Sequence, residues 1–326
     1  MTEGLESTEV VSPVARLQGA ATGDRIFRTL LTIAALAIPT LLGFLVYELW
    51  SGSQPAIAKF GTDFLTTSTW DPVADRFGAL PLIFGTLLSS LIALVIAVPL
   101  SIGVAIFLTE FAPGPLRRPI GFIVELLAAI PSVVYGLWGI FFLIPLLRSS
   151  LFPFLRDTLG FLPLFQGTIY GNSMLAAGII LAIMIMPYIM SVTREVLASV
   201  PGSQREAALA LGATRWEAAW TAVVPYARSG IVGAIILGLG RALGETMAVT
   251  MLIGNRHEIV ASLFAPGYTM AAAIANEFTE ASTDMHFAAL AYVALVLFGV
   301  TVVVNALARL LIWKVSKGRV SGGAGL

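Results

Sequence analysis

Gly238–Val249 reads GLGRALGETMAV, a stretch inside an apolar run that nevertheless carries Arg241 and Glu245 four positions apart. A charged side chain near the centre of a bilayer costs about 3 kcal/mol on insertion scales. Such residues are rare in membrane helices and mark positions where the charge has a use. The rest of the chain decides whether this run crosses a membrane and what the two charges do there.

The composition is that of an integral membrane protein. Of the 326 residues, 57% are hydrophobic and only 12% are charged, whereas soluble domains carry about 25% charged residues. A helix needs roughly 17–25 apolar residues to cross the hydrocarbon core. We therefore predict an all-α integral membrane protein with six transmembrane helices, at Ile26–Leu49, Leu82–Leu108, Pro119–Leu147, Met174–Val192, Gly230–Ile253 and Phe287–Trp313.

The distribution of basic residues predicts the orientation of these helices. Thirteen of the 19 Lys and Arg residues fall on the side of the two termini, five fall on the other side, and Arg241 lies within a span. Because positively charged loops stay in the cytoplasm, we predict cytoplasmic tails at 1–25 and 314–326. The same assignment makes 50–81 an extracytoplasmic loop and 82–313 the membrane core.

Metal-ligating residues are sparse. The chain has no cysteine, which excludes thiolate metal sites, and we predict no metal site. Its two histidines, His257 and His286, stand apart in predicted outer loops. We interpret both as ordinary loop residues, with a ligand role as the alternative.

The segment at about 199–228 is the most structured of the predicted loops. Ser203 with Glu206, and Thr214 with Glu217, have the spacing of a capping box, which starts a helix. Gly212 lies between them, where a glycine in the left-handed conformation ends the first helix. The segment predicts two short helices joined by an elbow, the second ended or kinked by a later proline.

EAALALG at 206–212, followed by Pro225, resembles the EAA loop of ABC-transporter permeases. The residues in register with that motif are Glu206, Ala207, Ala208, Gly212 and Pro225. Ala222 and Val224 depart from it, because Ile and Leu are usual there. The resemblance implies that the loop docks into a groove of a cytoplasmic ATPase. The alternative is a helical hairpin that only caps the membrane domain.

Two further stretches, STWDPVADRFGALPLIFGTL at 68–87 and ELLAAIPSVVYGLWG at 125–139, extend the resemblance. With GLGRALGETMAV, they are similar to the membrane subunits of the bacterial phosphate-specific ABC importer, over roughly 60–313. The GETMAV ending resembles the C-type permease subunit rather than its A-type sister. The resemblance implies a type I ABC importer permease fold in the bacterial inner membrane.

The same resemblance implies the partners. They are a sister A-type permease subunit, two copies of a cytoplasmic ATP-binding subunit and an extracytoplasmic phosphate-binding protein. The chain has no G-x-x-x-x-G-K-[ST] phosphate loop, so we expect ATP and Mg²⁺ on the partner ATPase, no cofactor on this chain and no enzymatic activity of its own. We expect the lipid bilayer around it and no nucleic-acid partner. Alternatives are a permease for molybdate or sulfate, or a secondary anion transporter.

Arg241 is the first candidate for contact with an anion. It lies about 18 Å into the predicted fifth span, near mid-membrane, and a guanidinium offers a planar fork of donors that matches a tetrahedral oxyanion. Glu245 is expected one turn further along the same helix face, where it can accept a hydrogen bond from a protonated phosphate. The alternative is a buried ion pair that only fixes helix packing or latches a gate.

Ser132 is the third candidate of the predicted pathway or gate. Pro131 cannot donate to the carbonyl of Leu127, so the third span should kink or break there. In a break, amides near Ser132 form a positive helix end that faces a cavity. A plain kink is the alternative, with no anion contact.

Overall fold

The computed structural model describes the backbone of residues 13–317 and the side chains of residues 24–310. This part of the chain is helical, and its only β contacts are two isolated bridges. In chain order the helices are α1 (Pro13–Phe60), α2 (Leu80–Phe111), α3 (Gly114–Ala129), α4 (Ser132–Leu159), α5 (Met174–Ala198), α6 (Gly202–Ala210), α7 (Arg215–Gly244), α8 (Met247–Ile253), α9 (Met270–Glu277) and α10 (Asp284–Lys317).

Six of these helices are long and apolar enough to cross a membrane, namely α1, α2, α4, α5, α7 and α10. The predicted all-α fold with six transmembrane helices is therefore confirmed. The first helix continues to Phe60, well into the predicted loop 50–81, and ends where Gly61 takes a left-handed φ of 53°. The predicted tails at 1–25 and 314–326 fall largely outside the described residues.

The chain divides into two compact units, 1–51 and 52–326. In the first unit, the apolar side chains of α1 from Ile26 to Trp50 are mostly exposed. In the second unit, α5 is the central helix and is packed between α2 and α7. The helices approach closely at small residues: a Cβ added at Gly178 or Gly238 would lie 2.4 Å from Ile92 or 2.6 Å from Ile189.

The third span is broken rather than kinked. The predicted helix Pro119–Leu147 is divided between α3 and α4, because Ile130 and Pro131 are both extended, with ψ of 129° and 142°. Proline lacks an N–H and disfavours the helical conformation of the residue before it. The hydroxyl of Tyr135 donates to the carbonyl of Leu127 over 2.9 Å, so the carbonyl that Pro131 cannot reach has a new partner.

The fifth span is also broken, so the predicted continuous helix Gly230–Ile253 is wrong. The helix α7 ends at Gly244, Glu245 is extended with ψ of 127°, and α8 begins at Met247. Glycine weakens the end of α7, while the Glu245 carboxylate accepts a hydrogen bond from the amide of Ala248 over 3.4 Å. The side chain thus helps to start a new helix instead of continuing the old one.

Candidate functional site

The two helix breaks lie close together, beside the middle of α5. A Cβ added at Gly136, just after the first break, would lie 3.3 Å from the Cα of Ala248, just after the second. Tyr188, about 21 Å along α5, donates its hydroxyl to the carbonyl of Ala128 over 2.8 Å. The guanidinium carbon of Arg241 lies 4.5 Å from the centroid of the same Tyr188 ring. The end of α3 and a cation near the end of α7 therefore meet at Tyr188, while the starts of α4 and α8 lie close to each other.

Arg241 has an aromatic partner and no carboxylate partner. Its Nε is buried without a hydrogen-bond partner in the described part of the chain. None of the ion pairs within 4.0 Å that the described side chains form includes Arg241. The tyrosine ring attracts the cation through its quadrupole but accepts no conventional hydrogen bond from the guanidinium N–H groups. An arginine in this state can bind an oxyanion without first breaking a salt bridge.

Glu245 and Ser132 occupy the two breaks. Because Glu245 is extended and caps α8, it does not stand on one helix face with Arg241, and the expected same-face arrangement is wrong. The Glu245 side chain is buried, with 8% of the residue exposed. Ser132 is the first residue of α4, and no hydrogen bond of its hydroxyl is observed within residues 24–310. The Ser132 side chain therefore does not cap the break within the described residues.

Arg241 opens onto a groove of about 1080 Å³ between α7 and α10, with Tyr188 at its side. Its lining contains three polar residues from α10, which are Thr301, Asn305 and Arg309. Sequence reasoning missed these residues and Tyr188. The spacing of four residues between Thr301, Asn305 and Arg309 is the signal that could have identified one polar row on the last helix.

The loop 199–228 contains the predicted elbow. Helix α6 ends before Gly212, which has φ of +88°, and α7 begins after Thr214. Thr214 and Glu217 form the predicted capping box, with the Glu217 amide donating to Thr214 Oγ1 over 3.3 Å and the Thr214 amide to Glu217 Oε2 over 2.8 Å. The predicted box of Ser203 and Glu206 is not formed, since Pro201 caps α6 without a side-chain hydrogen bond.

Pro225 does not end the second helix, which was one of its two predicted effects. A π-helical turn at Ala219–Val223 ends two positions before Pro225, and α7 continues through the proline to Gly244. A π-turn shifts the hydrogen-bond pattern locally, and thereby accommodates a residue without an N–H.

The other residues in register with the EAA motif are accessible: Glu206, Ala207 and Gly212 are exposed, and Ala208 is half-buried.

Arg205 ties the loop to the membrane helices. Its Nη2 donates to Glu110 Oε1 over 2.8 Å and its Nε to Glu110 Oε2 over 3.0 Å. It also donates to the carbonyls of Val200 and Leu197 over 2.7 and 2.9 Å. The hydrogen bonds to the Glu110 carboxylate raise the pKa of Arg205. This ion pair between Arg205 and Glu110 joins α6 to the end of α2, and it was not identified from the sequence.

The two histidines are not isolated, contrary to the interpretation from the sequence. His257 Nε2 and His286 Nε2 each lie 3.2 Å from a different oxygen of Glu277. Trp70 Nε1 donates to the same carboxylate over 2.7 Å, and its ring stacks on His257 with centroids 5.3 Å apart. Burial alone raises the pKa of Glu277, but the contacts with His257, Trp70 and His286 outweigh it and hold that pKa below its usual range.

Comparison with known proteins places these features in a family. Residues 97–317 match the family described as "Binding-protein-dependent transport system inner membrane component". A protein named "Phosphate transport system permease protein PstC" from Mesorhizobium japonicum is 48% identical over 296 residues, which cover 90% of each chain. A protein of the same name from Xylella fastidiosa is 47% identical over 97% of this chain and 99% of its own.

Solved structures agree at the level of the fold. A bacterial ABC transporter involved in the import of the acidic polysaccharide alginate aligns with a TM-score of 0.52 and 20% identity, covering 90% of this chain and 98% of that chain. This similarity confirms the predicted ABC importer permease fold. With a family match across most of the membrane helices and relatives near half identity, the chain belongs to the binding-protein-dependent transport system inner membrane components.

Proposed function

We propose that this chain is a membrane permease subunit of an ATP-driven importer of inorganic phosphate, in which it forms half of the translocation pathway. The observation that carries the proposal is Arg241, held on the Tyr188 ring beside two broken helices with its Nε unpaired. Interrupted membrane helices form the substrate sites of many transporters. The names of the relatives favour phosphate over molybdate or sulfate.

The three residues at the breaks have different parts in this pathway. Arg241 offers its guanidinium fork to two phosphate oxygens, a geometry that a lysine cannot reproduce. Ser132, with its hydroxyl unoccupied at the start of α4, contributes a further hydrogen bond to the anion. Glu245 acts as part of the gate, because the α8 cap that it forms is the contact that must loosen if the fifth span changes shape.

The loop 199–228 is the proposed coupling surface. Glu206, Ala207, Ala208 and Gly212 dock into the cytoplasmic ATPase, and Pro225 marks the point where α7 enters the membrane. Leu209 and the 89% exposed Leu211 add apolar surface to this loop that a docking partner can cover.

The remaining subunits follow from the same proposal. Two copies of a cytoplasmic ATP-binding subunit hold ATP and Mg²⁺, a sister A-type permease supplies the other half of the pathway, and an extracytoplasmic protein delivers phosphate. This chain binds no cofactor and hydrolyses no ATP, and both of its termini lie in the cytoplasm. Its six apolar helices and its family identify a multi-pass protein of the bacterial inner membrane.

Reconstitution tests the proposal. Liposomes that contain this chain, the sister permease and the ATPase, with the phosphate-binding protein added and ATP on the ATPase side, should accumulate labelled phosphate. Excess unlabelled phosphate should compete, while sulfate and molybdate should not. This chain alone should neither take up phosphate nor hydrolyse ATP. Uptake of phosphate by the chain alone would revive the secondary-transporter alternative, and preferential uptake of molybdate or sulfate would replace the proposed substrate.

A further inference from the structure

One face of the last transmembrane helix carries a polar row. Thr301, Asn305 and Arg309 follow one another at intervals of four residues, which is about 6 Å along α10. All three line the groove that Arg241 and Tyr188 also line. Polar side chains within a membrane helix are costly and usually functional, so this row requires an explanation.

Two of the three residues in the row have unused hydrogen-bonding groups. The Thr301 hydroxyl donates to the carbonyl of Phe298 over 2.9 Å within its own helix. Asn305 is half-buried and Arg309 exposed, and neither has a hydrogen bond or ion pair to another residue whose side chain the structure describes. An unsatisfied amide in an apolar setting costs about 1–3 kcal/mol by mutational data. The Asn305 amide can therefore form hydrogen bonds with a molecule that enters the groove.

The charge of the groove identifies the kind of partner. Its lining contains two cations, Arg241 and Arg309, and no carboxylate. Elsewhere in the described chain, Arg194 and Arg205 each have a carboxylate partner within 2.9 Å. A groove whose two guanidinium groups and amide have no ionic or hydrogen-bond partner among the described side chains favours an anion. A polar contact with a neighbouring helix, the other common use of asparagine in membranes, does not account for the two cations.

We propose that Asn305 is a specificity-determining residue of the phosphate pathway, and that Arg309 is the next anion contact along the same wall. The inference rests on the proposed function. A carboxamide both donates and accepts: its NH₂ group binds a phosphate oxygen, and its carbonyl oxygen accepts from the P–OH of protonated phosphate. Sulfate has no such hydroxyl at neutral pH, so the Asn305 carbonyl disfavours it.

Substitutions at Asn305 test the proposal in the complete transporter. Asn305→Leu should lower uptake of labelled phosphate at subsaturating concentration by about tenfold, the effect of one lost hydrogen bond to a charged group. Asn305→Asp should lower uptake further, because a carboxylate then faces the anion. Asn305→Leu should also make uptake sensitive to competing sulfate. The double change Asn305→Leu with Leu307→Asn is the matched control: it keeps the composition but moves the amide off the groove lining, so it should not restore uptake.

Assembly must be measured on the same samples by co-purification of the partners. A helix-packing role predicts that uptake falls only in proportion to lost assembly, and that Leu and Asp variants with intact assembly transport like the unmodified chain. That result would overturn the assignment of Asn305 while leaving phosphate import in place. Failure of the unmodified complex to take up phosphate would instead overturn the proposed function, so the two failures are distinguishable.

Discussion

Arg241 is stabilised by an aromatic face, and its local environment explains how a cation is kept in an apolar helix. The centroid of the Tyr188 ring lies 4.5 Å from the guanidinium carbon, and the Tyr188 hydroxyl donates a hydrogen bond to the carbonyl of Ala128. The ring is therefore fixed in place before any anion arrives. A preorganised cation of this kind attracts an anion without a large change in the protein.

Replacement of Arg241 by Lys should lower phosphate uptake at least about tenfold, because the charge over Tyr188 is kept while the planar fork is lost. Arg241→Ala should abolish uptake. Since Arg241 has no ion pair with Glu245, neutralising both residues should not restore phosphate uptake. Uptake of labelled phosphate and co-purification of partners measure these effects, with Arg156→Lys at an exposed ion pair as the control. Recovery of uptake in the double variant would show a structural ion pair.

Glu277 gives a residue-scale prediction about pH. Its pKa is lower in the folded protein than in the unfolded chain, so its contribution to stability is present above the unfolded pKa of about 4.3 and is lost as pH falls through the folded pKa. Glu277→Gln should therefore lower the melting temperature of the purified complex at pH 7, and the difference should shrink as pH falls below about 4. The exposed Glu280→Gln is the control. A difference that is constant with pH would contradict this role of the carboxylate.

Some of these residues could be identified from the sequence, and others could not. Arg241 and Glu245 could be found because a charge inside an apolar run is visible without a structure. Tyr188 could not, because a tyrosine among apolar residues gives no such contrast. The cluster on Glu277 joins Trp70, His257 and His286, which lie far apart in the sequence. No local pattern predicts that these segments meet.

At the scale of elements, two membrane helices are interrupted. Tyrosine hydroxyls donate to freed carbonyls at the first break, and Glu245 accepts from an amide at the second. Pro131 predicted the first interruption, because a residue without an N–H has a direct steric and hydrogen-bond effect. The second was missed: a hydrophobic run with helical composition gives no signal that a glutamate will cap a new helix at Met247. The π-turn before Pro225 was missed for a related reason, since propensities do not specify hydrogen-bond register.

The tyrosine hydroxyls should stabilise the first break. Tyr188→Phe keeps the ring under Arg241 but leaves the Ala128 carbonyl without its donor, which costs about 1–3 kcal/mol. We expect a melting temperature lower by about 2–4 °C for each kcal/mol lost and phosphate uptake reduced a few-fold. Tyr226→Phe, at an exposed position, should change neither measurement. Unchanged melting and uptake in Tyr188→Phe would show that the hydroxyl is not needed to hold the break.

At the scale of the whole molecule, the loop 199–228 and the proposed pathway residues belong to one compact unit. Hydropathy alone was sufficient for the number of transmembrane helices, though not for the continuity of the third and fifth, because transmembrane length and composition are properties of single segments. The connection between loop and helices was not predictable in this way. It depends on Arg205 and Glu110, which are 95 positions apart and lie on different helices.

The link between Arg205 and Glu110 should transmit movement of the docked ATPase to α2. Arg205→Gln leaves Glu110, whose side chain is 11% exposed, as an unpaired charge at a cost of about 3 kcal/mol. We expect uptake to fall at least about tenfold while the complex still hydrolyses ATP. Adding Glu110→Gln removes the unpaired charge, so stability should recover more fully than uptake.

The matched control for this experiment is the pair Arg194 and Glu125. It has the same chemistry and a similar contact distance of 2.9 Å, but the Glu125 side chain is 59% exposed. An exposed pair contributes about 0–1 kcal/mol, so Arg194→Gln should change uptake and ATP hydrolysis little. The ratio of phosphate transported to ATP hydrolysed, measured for both variants in liposomes, isolates coupling from stability. A normal ratio in Arg205→Gln would mean that α6 transmits its movement to the membrane helices by another contact.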